Sequence, residues 1–277
     1  MRIHSLANLI AFPFMVITGI ILYFLFFEDQ ESYYLYLFAP VIILVIIYTY
    51  SPKINFWWHK KHPPILDPKL KLLVEQSSLF YNKLDEKQKQ KFLDRLSIFI
   101  HHKSFSLMRK EKEELPIDVR TLFSINGITL TFRKEEYFFD KYDYFIAYGH
   151  PFPSPRIRFL HSVETDHEDG TVVFNLRMLF DSMMRKTGQF NIGLFAFTDL
   201  YKNTFPDTNF PELTRDESIR EAVKDISGVQ YEKLLEDIGY EPEDIHLILV
   251  PLYFEHPDAF HRVLPAVFSS YQDIFSS

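Results

Sequence analysis

The chain has no cysteine in its 277 residues, which excludes disulfides, thiolate nucleophiles and cysteine metal ligands and sits easily with a reducing compartment. Glycine is scarce, at eight residues, and no G-x-G-x-x-G, Walker A or G-x-S-x-G phrase occurs, so the material for a phosphate cradle or a nucleophile elbow is missing. The net charge is −7 with no basic stripe beyond a short segment near Lys53 to Lys61, which argues against nucleic acid as a partner. Two stretches lack charge altogether. Leu6 to Phe27 and Tyr33 to Tyr50 contain no Asp, Glu, Lys, Arg or His.

At about 1.5 Å of rise per residue these runs make helices of roughly 33 and 27 Å, against a hydrocarbon core of about 30 Å. The sequence therefore predicts two membrane spans, 6–27 and 33–50. The linker Glu28-Asp29-Gln30-Glu31-Ser32 is too short to recross lipid, so the spans are antiparallel and the rest of the chain shares a side with Met1. The linker is acidic, whereas Arg2, Lys53, Lys60 and Lys61 flank the other ends; that bias predicts both termini and the main domain in the cytoplasm. Trp57 and Trp58, beside Lys60 and Lys61, suit a headgroup anchor. A cleaved signal peptide fits less well, because no small-x-small site follows the first run and a second span does. Pro13, Gly19 and Pro40 are tolerable within lipid-embedded helices. With no charge inside the spans, nothing points to a transport path.

The predicted organisation is a hairpin over 1–56, a membrane-proximal linker and helix over 57–79, and an α+β, mainly helical domain with a small sheet over 80–277. Asp67-Pro68 opens a helix toward Leu79, and Asp85 caps a helix over Glu86 to His102 with Phe92, Leu96, Phe99 and Ile100 on one stripe. Pro116 and Asp118 open a helix through Leu130; Tyr144 to Tyr148 and Thr171 to Phe174 read as buried strands, with a Pro-rich loop from His150 to Pro155. Further helices are expected over Leu176 to Met184 and Phe190 to Tyr201, separated by Lys186-Thr187-Gly188. Thr214 with Glu217 reads as a capping box opening a helix through Ile226, and the helices Glu243 to Phe254 and Asp258 to Phe275, the latter broken at Pro265, close the chain.

Several of these stretches, in order, resemble the family of Mlc titration factor A, bacterial zinc-dependent peptidases. Phe80-Tyr81, Leu84, Phe92, Arg95 and Phe99 keep the spacing of that family's opening phrase, with Lys103 and Phe105 behind them. Val119-Arg120-Thr121-Leu122 is similar to its arginine-containing helix and Tyr144 to Tyr148 to its short strand. Leu252 to Pro257, then Pro265, Phe268 and Tyr271, resemble its closing phrase. The resemblance implies a zincin-like helical domain with a small sheet, a zinc ion, and a history of binding a transcriptional repressor as well as cleaving peptides. It also implies a bacterial inner membrane as the location.

The departure falls on the chemistry. Active members carry two histidines one helical turn apart, which bind zinc, with an intervening glutamate that activates the bound water. The corresponding positions here are Gly193, Leu194 and Phe197, none of which can ligate or accept a proton. Counting back from Pro257, the third ligand position falls on Asp244, which cannot hold zinc alone. The expectation is a lost zinc, no catalytic residues, and a helix whose former site has become hydrophobic core.

Other histidines have plain readings. His101-His102 sit at a helix C-terminus, and His246 is expected as a satisfied core residue. His256 and His261 are five apart, a poor spacing for one face. His161 and His167, with Glu164, Asp166 and Glu168, read as a solvated loop in preference to a cation site. Tyr137-Phe138-Phe139 and Tyr142 are expected in the core. Three functions fit: a membrane-tethered, non-catalytic module that binds an unidentified protein partner; a metallopeptidase using Asp244 with displaced ligands such as His246; and a structural subunit of a larger membrane assembly held through the hairpin.

Overall fold

The computed structural model describes residues 5–27, 34–108, 113–184 and 189–276. The acidic linker, Arg2 and the Lys186-Thr187-Gly188 break lie outside the described residues. The chain divides into two compact units, Met1–Ile65 and Leu66–Ser277.

The first unit is a pair of packed helices, α1 (Leu6–Phe27) and α2 (Tyr34–Lys61). Both are long and apolar enough to cross a membrane. Their pairing is antiparallel, because Asn55 near the end of α2 reaches the start of α1: its Oδ1 accepts the Ala7 N–H at 3.1 Å and its Nδ2 donates to Ser5 Oγ at 3.1 Å. The first of these satisfies one of the backbone N–H groups that every helix N-terminus leaves open. Outward side chains are apolar; Leu9, Phe26 and Tyr48 are 71, 78 and 83 % exposed. The second helix extends past the span expected from hydropathy. It runs on through Pro52 and carries Trp57 and Trp58 within it, with the Lys61 ammonium 4.4 Å from the Trp57 ring and Lys60 4.7 Å from Phe56.

The second unit is mainly helical around a small mixed sheet. It begins with α3 (Pro68–Ser77), whose Asp67 cap accepts the Lys69 N–H at 2.9 Å. The expected linker therefore stops short of this helix: Leu70 and Val74 are buried in the domain core, and the helix packs on the one formed by Ile117–Leu130. After α4 (Leu79–Asn82), α5 (Glu86–His102) starts from a reciprocal box, Asp85 accepting from Gln88 N at 2.8 Å and Gln88 accepting from Asp85 N at 3.2 Å. Its stripe of Phe92, Leu96, Phe99 and Ile100 is fully buried. Each such side chain contributes about 1.5–3 kcal/mol by leaving water.

The sheet comprises β1 (Ser104–Leu107), β2 (Glu113–Glu114), β3 (Tyr144–Tyr148), β4 (Val163–Asp166) and β5 (Thr171–Asn175), in the order β2-β1-β3-β5-β4. β1, β3 and β5 are parallel; the edge strands β2 and β4 run antiparallel to their neighbours. The register aligns Phe105, Phe145 and Val172 in one row and Leu107, Ala147 and Phe174 in the next, all buried. Helix α6 (Ile117–Leu130) lies in the connection from the β1–β2 pair to β3.

The remaining helices are α7 (Leu176–Met183), α8 (Ile192–Thr204), α9 (Glu217–Ser227), α10 (Tyr231–Ile238), α11 (His246–Glu255), α12 (Pro257–Val263) and α13 (Pro265–Ser276). The cap of α9 is Asp216, which accepts the Ile219 N–H, so the expected Thr214–Glu217 box does not form. α10 escapes the sequence reading, although its closing Gly239, at φ +98°, marks its end. Helix α8 packs on α6, α11 and the strands β4 and β5 and thereby fills the middle of the domain.

The residues matched to the family's opening phrase act as scaffold. Arg95 donates to the carbonyls of Thr131 at 3.1 Å and Phe132 at 2.9 Å and stacks 4.4 Å from the Tyr137 ring, tying α5 to the end of α6. Lys103 is buried, its ammonium donating to the Phe139 carbonyl at 3.1 Å and Asp143 Oδ1 at 2.9 Å, and burial lowers its pKa. Phe139 itself adopts φ +53°, a left-handed conformation that costs a bulky residue energy and that the Lys103 bond helps hold.

Helices α6 and α8 approach closely at Gly127, where an added Cβ would lie 2.6 Å from the Phe197 ring. In an ordinary helix Gly→Ala gains about 1 kcal/mol. Here the ring is boxed in, and overpacking costs about 1–3 kcal/mol. Gly127→Ala is therefore expected to lower the urea midpoint of the domain's far-UV circular dichroism transition, and to stop doing so in a Phe197→Leu background; stabilisation by Gly127→Ala alone would contradict this packing.

Candidate functional site

The positions expected to have lost the metal all lie on α8, and they have different surroundings. Phe197 is fully buried among aromatic rings, with centroid distances of 4.9 Å to Phe123, 5.4 Å to Phe139, 5.9 Å to Phe145 and 6.0 Å to Phe99. Gly193 lies against Asn126: a Cβ there would be 2.3 Å from Asn126 Nδ2. Leu194, also buried, borders a cleft of about 260 Å3. The hydrophobic core expected around this helix is found on the Phe197 side, while the start of the helix faces a partly polar recess.

That recess is organised by Asn191, the cap of α8. Its Oδ1 accepts the Leu194 N–H at 2.9 Å, and its Nδ2 donates both to Asn126 Oδ1 at 3.1 Å and to Glu255 Oε1 at 2.9 Å. Asn126 in turn donates to the carbonyls of Leu122 and Phe123, each at 3.1 Å, so its amide spends its hydrogens within α6. Phe80, Phe190, Leu234 and Leu252 supply apolar wall, and His256 lines the rim with its pKa lowered by burial. The Ser77 hydroxyl, also on the lining, is buried without a hydrogen-bond partner. The sequence signal for this network was Asn191 as a cap immediately before an apolar helix. Neither Asn126 nor Glu255 carried a signal, since Asn126 is one of several polar residues spread along α6 and Glu255 is the last residue of the mostly apolar α11.

Asp244 is elsewhere. Its Oδ1 accepts the His246 N–H at 2.9 Å at the start of α11, and its Oδ2 pairs with Lys202 near the end of α8. It does not line the cleft beside Leu194. His246 uses both ring nitrogens: a carbonyl only accepts, so Nε2–H donates to Pro211 O at 3.0 Å, which leaves Nδ1 to accept from the Tyr271 hydroxyl. Burial lowers its pKa, in keeping with a neutral ring. Neither residue fits zinc: one carboxylate is occupied by a lysine and the imidazole has no lone pair to spare. Among the described residues no three His, Asp or Glu side chains gather as a metal-ligand group.

The expected solvated loop around His161 and His167 is instead partly interior. His161 is 1 % exposed, with Nδ1 2.9 Å from the Phe159 carbonyl and Nε2 3.0 Å from Glu164 Oε2. His167 lies between two further groups, its Nδ1 2.6 Å from the Tyr142 hydroxyl and its Nε2 3.3 Å from Asp199 Oδ2. Burial pushes Asp199 above the usual carboxylate range, against the pull of His167, and raises the Tyr142 phenol as well. The strand β4, which aligns these residues, was not visible in a segment so rich in charge. The solvated part is the turn after β4, where Glu168 is exposed and Asp166, the last residue of the strand, accepts the N–H groups of Glu168 and Asp169. His101, by contrast, bonds the Ser97 carbonyl at 2.5 Å, the expected use of a histidine in the last turn of a helix.

No protein-family model and no curated protein sequence matches the chain.

His246 has a measurable consequence. Its folded pKa lies below the ordinary 6.5, so the stability it contributes is present above pH 6.5 and is lost as the pH falls through the folded value. One such group gives a slope of at most about 1.4 kcal/mol per pH unit. His246→Gln should flatten the fall in unfolding free energy below pH 6.5, measured by urea titration across that range; an unchanged acid slope would show that the ring protonates equally in both states.

Proposed function

We propose that this chain is a membrane-tethered, non-catalytic relative of the Mlc titration factor A peptidases, whose zincin-like domain acts as a protein-binding module at the cytoplasmic face of a bacterial inner membrane. The observation that carries the tether is the outward apolar surface of α1 and α2. Side chains such as Leu9, Phe26 and Tyr48 have no cover within the hairpin, and water around them costs about 25 cal/mol per Å2. A bilayer removes that cost. The basic residues Lys53, Lys60 and Lys61 at the far end of α2, against the acidic linker 28–32, support the cytoplasmic orientation.

Non-catalytic action is supported by what occupies the former ligand positions. Gly193 has no donor, and any side chain there would collide with Asn126; Leu194 and Phe197 are hydrocarbon. The displaced-ligand peptidase would need Asp244 and His246 to abandon Lys202, Tyr271 and Pro211. Breaking a hydrogen-bonded charge or imidazole out of such partners costs several kcal/mol. Binding is then the function left to a folded domain with a cleft, and the resemblance supplies a precedent in repressor binding.

The absence of native cysteine makes topology directly testable. Gln30→Cys should react with an impermeant maleimide in intact cells, and Lys224→Cys only after permeabilisation. The reverse pattern would invert the orientation, and release of the protein by alkaline carbonate would remove the tether. Exchange of α1 and α2 for an unrelated hairpin should leave the proteins that co-purify with the chain unchanged. Their loss would favour the alternative of a subunit held in a larger assembly through its spans.

A further inference from the structure

Helix α2 has 28 residues against 22 in α1, and its Asn55 is bonded to Ser5 and Ala7 at the first turn of α1. The end of α2 therefore runs on past its partner, by roughly 9 Å from Asn55 to Lys61 at about 1.5 Å per residue. At about 100° per residue, Tyr50, Lys53, Phe56, Trp57, Lys60 and Lys61 fall within an arc of about 140°. Lys53, Trp57, Lys60 and Lys61 on that arc are exposed, whereas Asn55 and the buried His59 share the opposite side of the helix. Trp58 lies off the arc, stacked on His62 with ring centroids 3.8 Å apart, so only Trp57 of the two tryptophans shares the face with the lysines.

Each lysine rests over a ring of the same face. The ammonium of Lys53 is 5.8 Å from the Tyr50 centroid, that of Lys60 4.7 Å from Phe56 and that of Lys61 4.4 Å from Trp57. Such contacts orient an ammonium without neutralising it. No Asp or Glu occurs anywhere from Tyr33 to Ile65, so α2 supplies no counter-ion of its own. In a chain of net charge −7 the face is a local excess of positive charge, interleaved with aromatic rings.

We infer that this face of α2 is a binding site for an anionic phospholipid, with Lys53, Lys60 and Lys61 meeting the headgroup phosphate and Tyr50, Phe56 and Trp57 lying against the top of the acyl chains. The level is right: α1 is roughly 33 Å long against a hydrocarbon core of about 30 Å, so residues just past its first turn enter a headgroup layer of about 5–7 Å per leaflet. Flexible lysine stems reach that layer from either side, Lys53 from within and Lys60 and Lys61 from beyond. The alternation of side chains decides the ligand. A soluble anion uses the lysines and leaves three rings in water, whereas a lipid uses both. Three uncompensated ammonium groups favour a net-negative headgroup over a zwitterionic one, whose own cation they repel. The inference rests on the membrane tether proposed above and names the lipid charge that its inner end selects.

The chain has two tryptophans, so Trp58→Phe leaves Trp57 as the sole tryptophan reporter on the face. The test uses full-length Trp58→Phe protein in phosphatidylcholine vesicles, titrated with phosphatidylglycerol or phosphatidylcholine brominated near the top of the acyl chain. The expected result is quenching of Trp57 by both lipids, with phosphatidylglycerol at least about twofold more effective at equal mole fraction. That preference should vanish when Lys53→Gln, Lys60→Gln and Lys61→Gln are combined, and survive when the same three lysines are changed to Arg. Equal quenching by the two lipids overturns the inference and leaves the tether standing. No quenching by either overturns both. A preference that persists in the Gln variant overturns the assignment to this face, and one abolished by inorganic phosphate at constant ionic strength assigns the face to a soluble anion instead.

Discussion

The packing of the Phe197 ring against Gly127 is the contact on which the rest of the domain depends. The ring has no exposed surface and touches aromatic side chains from α5, α6, β3 and the loop after α6, so one side chain registers four parts of the fold against α8. A glycine opposite is what lets the helices come this near; any Cβ at 127 enters the ring. Close-packed interiors tolerate little change of volume, so this contact excludes a polar, hydrated or metal-bearing arrangement at the same place.

The polar residues around α8 are used to assemble the domain. Asn191 caps the helix and joins α6 to α11 through Asn126 and Glu255; Lys202 at the other end joins Asp244; Asp199 meets His167 on the side of β4. Buried polar groups are tolerable when paired, and these are paired with one another. A side chain already committed to such a partner is poorly placed to ligate a metal or shuttle protons. The cleft beside Leu194 has room for a guest, bounded by hydrocarbon and by amide groups whose hydrogens are largely spent.

Much of the helical frame was legible because it rests on local rules. Asp67 and Asp85 cap where their side chains reach the next turn, Pro265 separates the last two helices, and the stripe from Phe92 to Ile100 faces inward at helical spacing. What escaped depends on distant partners. The strand of Val163 to Asp166 is highly charged and acquires its conformation from pairing with β5, and the edge pair β1–β2 is too short to show alternation. Thr214 satisfied a capping pattern, yet Asp216, two residues later, makes the cap, since both candidates precede the same apolar run. At the site, the absence of donor atoms at Gly193, Leu194 and Phe197 was readable residue by residue. The recess at the start of α8 was not, because it is made by α6, α7 and α11 meeting there. The hairpin was the plainest feature of all, though the continuous helix through Pro52 to Lys61 extends beyond what hydropathy marked.

The account joins an apolar hairpin to a domain whose central helix is buried packing on one side, and proposes that this packing replaced metal chemistry. Its central claim is most directly tested by metal analysis of the purified full-length protein after dialysis against trace zinc. The account predicts a zinc content far below one equivalent, unchanged by Asp244→Ala. One equivalent of tightly held zinc, lost in that variant, would contradict it.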